Sequence, residues 1–209
     1  LWYFFFLFFA IITIGSDDMY SLFIDTHDLD LVIALYKDKK LKDKEIKESL
    51  RNHSDYTMPI IDEIIERNNI GIHDIKEILV VNGPGSFTGV RIGVTIAKML
   101  AYTLNIPIKS IDSITMYGIS DNDTNKKLVL IPDVKGSYGG VFENNILIGE
   151  LFYKTKAELD EYIKKNNINK IVENNIDFNK IIEYFENIEP TLAHLVNPIY
   201  VKVIEALKW

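Results

Sequence analysis

Apolar and polar positions alternate with period two through 20-YSLFI-24 and 29-LDLVIALY-36, and again, with more charge, into the forties. The polar breaks 25-DTHD-28 and 37-KDKK-40 separate these runs. Successive side chains of a strand point to opposite faces, so the pattern predicts a three-stranded meander. The period then changes. In 53-HSDYTMPIIDEIIERNN-69, Ile60, Ile61, Ile64 and Ile65 share one helical face, while Asp62, Glu63, Glu66 and Arg67 share the other. Ser54 is the expected N-cap, and Pro59 fits such a helix only near its first turn or at a kink.

An apolar strand, 77-EILVV-81, runs through 82-NGPGSFTGVRIG-93 into an apolar helix ending near Asn105, and 107-PIKSID-112 reads as the next strand. The polar stretch 120-SDNDTNKK-127 reads as a linker. Beyond it the pattern predicts a strand 128-LVLIPD-133, a tight segment 134-VKGSYGG-140 and a hairpin in 141-VFENNILIGELFY-153 turning at Asn144-Asn145. Helix (155–166), short strand (169–173), helix (177–186) and a last strand, 199-IYVKV-203, complete the series. Both halves begin with a strand ending in an aspartate, Asp25 or Asp133, which makes a weak internal repeat. The second copy lacks a long apolar helix like 88–105 and is expected to cover its sheet poorly, which points to a partner. The reading is an α/β chain with one lobe at 19–119 and a smaller one at 128–209.

The opening 1-LWYFFFLFFAIITIG-15 changes this picture little. No Lys or Arg precedes it, as a secretory signal requires, and it falls short of the roughly 20 residues that span a bilayer as a helix. Met19 stands directly before the first strand, so residues 1–18 are read as upstream translation or a misplaced start rather than part of the working protein, with a membrane anchor as the lesser reading. With 47% apolar and 25% charged residues the rest is globular in composition. A net charge of −7 argues against nucleic-acid binding by this chain alone, since phosphates are met by clustered Lys and Arg. The absence of cysteine removes disulfides, thiolate nucleophiles and Cys-based zinc sites, and fits a reducing cytoplasm.

The glycine-rich loop invites comparison with phosphate cradles. A Walker loop encloses four residues between its glycines and then carries Lys-Ser/Thr; here Gly83 to Gly89 encloses five, Gly85 to Gly89 three, and Val90 follows. The dinucleotide fingerprint fails at its third glycine, where Thr88 stands, and Pro84 removes a backbone N–H. A tight strand-to-helix turn, capped by Ser86 or Thr88, is the better reading. The helix it opens is more informative. Gly89, Gly93, Ala97 and Ala101 recur every four residues and make a shallow groove, surrounded by apolar side chains, where another helix can approach. The pattern leaves open whether that helix comes from the same chain or from a second one.

Other chemistry is sparse. His27, His53, His73 and His194 include no pair at metal-ligand spacing on a helix. Ser86 lacks the flanking glycines of a nucleophile elbow, since Pro84 and Thr88 occupy those places. Asp25 and Asp133, at paired strand ends, could hold magnesium or simply bond turn amides.

Together, 22-LFIDT-26, 53-HSDYTMPIIDEI-64, 83-GPGSFTGVRIGVTIAKMLA-101 and 128-LVLIPDVKGSYGGVF-142 resemble the bacterial TsaB (YeaZ-type) family, with G-P-G-S-F-T-G-x-R-x-G as the specific signal. The resemblance implies a duplicated, actin-like ATPase and RNase H-like fold with a reduced second lobe. It implies a non-catalytic subunit of the machinery that makes N6-threonylcarbamoyladenosine in tRNA. Its partners would be a TsaD-type catalytic subunit, bound through a helical bundle, and a TsaE-type P-loop ATPase, with tRNA met only through the complex. Homodimerisation of the lone chain stays open. ATP and metal would sit on the partner subunits, and the chain would be cytoplasmic, need no cofactor of its own and touch no membrane. Mapped onto this sequence, the partner surface would comprise Met58, Ile61, Ile65, Gly89, Gly93, Ala97 and Ala101, and Asp25, Thr26 and Asp133 would be remnants of a degenerate nucleotide site. His27 after Asp25-Thr26 and Val134-Lys135 after Asp133 depart from the family pattern. The competing reading is an actin-like ATPase or small-molecule kinase that uses Asp25, Thr26 and Asp133 around magnesium.

Overall fold

The computed structural model describes residues 18–48 and 52–202; nearly all of the expected N-terminal extension, and the last residue of the strand expected at 199–203, lie outside the described residues. Strands β1 (Tyr20–Asp25), β2 (Leu31–Lys37) and β3 (Lys40–Lys47) form the predicted meander. Asp38 and Lys39 turn the second hairpin with positive φ. Helix α1 (His53–Arg67) follows, then β4 (Ile75–Val81), α2 (Phe87–Leu104), β5 (Ile108–Ile111) and α3 (Ser113–Ser120). The first sheet has the order β3-β2-β1-β4-β5, with β1 antiparallel to β2 and parallel to β4.

Side chains alternate between the two faces, and in β1, β2 and β4 both sets are largely apolar, so these central strands are buried on both faces, whereas the edge strand β3 is not. Leu22 and Ile24 of β1, Leu31, Ile33 and Leu35 of β2, and Ile78 and Val80 of β4 meet α1 and α2 in one core. The intervening Phe23, Val32, Ala34, Tyr36, Leu79 and Val81 enter a second core. That core also holds Ile114 and Met116 of α3, and Phe178, Ile181 and Phe185 of the last helix.

The second half is β6 (Lys127–Asp133), β7 (Gly136–Glu143), β8 (Ile146–Thr155), α4 (Lys156–Lys165), β9 (Ile171–Val172) and α5 (Phe178–Glu186). Its sheet runs β8-β7-β6-β9, again an antiparallel meander whose first strand pairs in parallel with the next crossover strand. The repeat is therefore real. Asn144 and Asn145 both have positive φ, as the hairpin reading required. Val129, Ile131 and Phe142 face the shared core, whereas Leu128, Leu130 and Val141 face α4.

Several expectations need correction. The second sheet is covered poorly only toward its edge: β8 has no buried residue, whereas β6 lies between α4 on one side and α3 and α5 on the other. The N-cap of α1 is Asn52, not Ser54, which lies within the helix together with Pro59. Helix α3 had no counterpart in the sequence reading; its signal was Asp112, whose carboxylate accepts the Thr115 N–H at 2.8 Å as an N-cap. The described residues of 199–203 are not a strand. From Thr191, which bridges Ile108 of β5, the chain returns to the first sheet, and Val196 is buried in that sheet's outer core.

Candidate functional site

The glycine loop is built against the β1–β2 turn. Gly83 adopts φ +92° and its peptide bond to Pro84 is cis. Ser86 donates its N–H to the His27 carbonyl at 2.7 Å, and its hydroxyl accepts from the Gly89 N–H at 3.2 Å to cap α2. A side chain at Gly85 would strike the His27 carbonyl, one at Gly89 the Thr26 carbonyl, and one at Gly93 the Thr26 hydroxyl. The Thr26 hydroxyl donates to the Gly89 carbonyl at 2.7 Å. The small-residue groove is thus filled, at its N-terminal end, by the chain's own turn.

This corrects the choice of surface residues. Ile61, Ile65, Gly89, Gly93, Ala97 and Ala101 are all buried within the chain, and Met58 is half-buried against the same core. The opposite stripe of α2 faces outward: Thr88, Arg91, Thr95, Met99 and Tyr102, spaced by three or four residues. Tyr102 is 83% exposed and Met99 50% exposed, and Tyr56 of α1 is exposed as well. The signal was in the sequence, since a stripe of small residues that packs inward leaves the positions three and four away facing out.

Asp25 and Thr26 are buried in the turn. Asp25 Oδ1 accepts from the His27 backbone N–H at 3.0 Å and from His27 Nδ1 at 2.6 Å. Burial disfavours the imidazolium, but Asp25, aided by Asp28 and Asp30, outweighs it and raises the His27 pKa. Asp25, His27, Asp28 and Asp30, with Tyr117, line a hollow of about 40 Å³.

Asp133 sits elsewhere, in a cleft of about 890 Å³ between the lobes, which Ser86, Phe87, Lys135, Tyr138, Tyr153, Tyr200 and Lys202 also line. Its Oδ2 accepts from Lys202 Nζ at 2.8 Å and from the Tyr153 hydroxyl at 2.9 Å. Desolvation works against the Asp133 charge, yet these two donors hold its pKa below the usual value. The structure therefore brings Asp25 and Thr26 together and assigns Asp133 to a separate cavity. The Lys202–Tyr153 pairing joins residues far apart in sequence and had no sequence signal.

Among the described residues, no three His, Asp or Glu side chains form a metal-ligand group, and no helix is long and apolar enough to cross a membrane.

Residues 46–186 match the family described as TsaD, tRNA N6-adenosine threonylcarbamoyltransferase. The tRNA threonylcarbamoyladenosine biosynthesis protein TsaB of Bacillus subtilis (strain 168) is 41% identical over 96 residues, covering 46% of this chain and 42% of the relative. The chain thus spans less than half the length of that relative. The TsaB protein of Buchnera aphidicola subsp. Schizaphis graminum is 28% identical over 147 residues, 70% of each chain. A solved Pseudomonas aeruginosa protein, described as similar to the peptidase YeaZ, superposes with a TM-score of 0.73 at 15% identity, covering 88% of this chain and 100% of that one. That likeness shows the fold.

Proposed function

We propose, from the premise that this chain belongs to the TsaD-type family and within it to the TsaB/YeaZ group, that it is a non-catalytic subunit in the biosynthesis of tRNA threonylcarbamoyladenosine. In this reading it binds a TsaD-type catalytic subunit, and tRNA and a TsaE-type ATPase join only in the complex. The observation that carries it is the outward stripe of α2. A helix whose inner face is fully used by its own core still presents Met99 and Tyr102 to solvent, and α1 presents Tyr56. Large apolar side chains grouped on one exposed face mark an interaction surface, and aromatic anchors carry much of the energy at such surfaces.

The local chemistry supports a binding role. The competing kinase or ATPase reading requires Asp25 and Asp133 to share a magnesium ion, yet the two line separate cavities, and Asp25 Oδ1 is engaged twice by His27. Acidic side chains on the outer side of α1, Asp55, Asp62, Glu63 and Glu66, would favour a partner helix carrying Lys or Arg at its rim.

Co-expression with the host's TsaD-type subunit, followed by sizing, tests the proposal. The parent chain should elute as a stable complex. Tyr102→Glu and Met99→Asp should each weaken it at least tenfold while circular dichroism of the isolated chain is unchanged. Normal complex formation by both variants would refute the assignment of this face.

A further inference from the structure

We infer that residues 196–202 form a latch that sets the width of the inter-lobe cleft. The segment is anchored on the first lobe. Val196 is buried in that lobe's outer core, Asn82 donates its side-chain N–H to the Asn197 carbonyl at 3.0 Å, and the Ile199 N–H donates to the Asn82 carbonyl at 2.8 Å. One residue on, Arg91 Nε of α2 donates to the Tyr200 hydroxyl at 2.8 Å, with its guanidinium 3.7 Å from the Phe87 ring centroid.

Two residues later the chain engages the other lobe. Lys202 Nζ donates to Asp133 Oδ2, where β6 ends, at 2.8 Å, and lies 3.3 Å from the Tyr153 hydroxyl of β8. Its ammonium also stands 4.5 Å from the Tyr153 ring centroid. Three residues of chain reach at most about 11 Å, to which the lysine side chain adds its own length, so the anchor at Ile199 and the contact at Lys202 bound the separation of the two lobes at this point. The core shared by both sheets joins the lobes at their base and reaches the cleft only through the part-buried Tyr138 and Leu151, so the latch acts at the mouth.

The two ends differ in strength, as a latch requires. The anchor uses backbone bonds and a buried valine, whereas Lys202 and Asp133 are 38% and 25% exposed. Exposed ion pairs open readily. Any anionic group entering the cleft would compete with Asp133 for Lys202. Release would leave the tail attached to the first lobe and free the second lobe's Asp133 and Tyr153.

The chain has no cysteine, so a labelled pair can be introduced cleanly. Spin labels at Thr95→Cys on α2 and Lys135→Cys in the β6–β7 turn, both exposed, report the separation across the cleft in the full chain. The latch predicts one narrow distance distribution, broadened and shifted to longer distance by Lys202→Gln and equally by Asp133→Asn, with no further shift in the double variant. Lys202→Arg should restore the narrow distribution. A distribution unchanged by both charge-removing variants overturns the inference, as do shifts that add in the double variant. Asp133→Asn is isosteric and Lys202→Gln only shortens a part-exposed side chain, and an unchanged melting temperature separates an opened cleft from an unfolded lobe.

Discussion

The Thr26 hydroxyl, at the start of the β1–β2 turn, lies against Gly93 in the second turn of α2, so close that a methyl group on Gly93 would displace it. The same hydroxyl donates to the Gly89 carbonyl at 2.7 Å. One threonine therefore accounts for two helix glycines, each of which costs about 1 kcal/mol of helix propensity relative to alanine.

In an exposed helix Gly93→Ala would stabilise by that amount. Here overpacking at a buried contact, typically about 1–3 kcal/mol, should reverse the sign. Urea unfolding is expected to show net destabilisation of Gly93→Ala, with part of it recovered by Thr26→Ala in the double variant.

The Asn144-Asn145 turn would by local preference accept Asn145→Gly as an improvement. The tertiary structure predicts the opposite. Asn145 Oδ1 accepts from Lys127 Nζ at 2.8 Å, and that ammonium, on a fully buried residue, also meets the Asp123 carbonyl at 2.6 Å and Asp121 at 3.4 Å. Removing an acceptor of a buried charge costs about 1–3 kcal/mol or more. Asn145→Gly should lower the melting temperature, and Lys127→Met should lower it further.

His27 gives a pH dependence of defined sign. Its folded pKa is raised above the unfolded value of 6.5, with Asp25, Asp28 and Asp30 facing the imidazole and Tyr117 packed on it edge-on at 5.4 Å. Its contribution is therefore complete below pH 6.5 and lost as pH rises through the folded pKa. Unfolding free energy should decline across that window in the parent chain, and His27→Gln should abolish the slope. An imidazole that titrates at or below 6.5 by NMR would contradict this.

Arg67 grips the edge strand: Nε and one terminal nitrogen reach Asp43 at 2.7 and 2.9 Å, and the other reaches Glu45 at 2.8 Å. The pKa values of both carboxylates are lowered, chiefly by these bonds, so the stabilisation exists above their unfolded values and is lost as pH falls through the folded ones. The group is substantially exposed, so Arg67→Lys should cost no more than about 1 kcal/mol. The loss should be largest near neutral pH and vanish in acid, measured by denaturant titration at each pH.

Sequence alone determined what depends on neighbours along the chain. Strand patterning set β1, β2 and β4, the paired asparagines set the β7–β8 hairpin, and the spacing of small residues marked α2 as a close-packing helix without showing that the stripe faces inward. Helix α3 was missed because eight residues, mostly buried, carry no polar face to give a period. Lys127 read as the last charge of a linker, because nothing local shows that its ammonium is ringed by oxygens from Asp121, Asp123 and Asn145. Only the tertiary structure decided what fills the α2 groove, which face of that helix remains open, and that Asp25 and Asp133 occupy different cavities. Those outcomes depend on sheet register and on the return of the tail at 191–202, contacts between residues tens of positions apart. Composition and periodicity record which side chains prefer to be buried; they carry no information on which distant group meets them there.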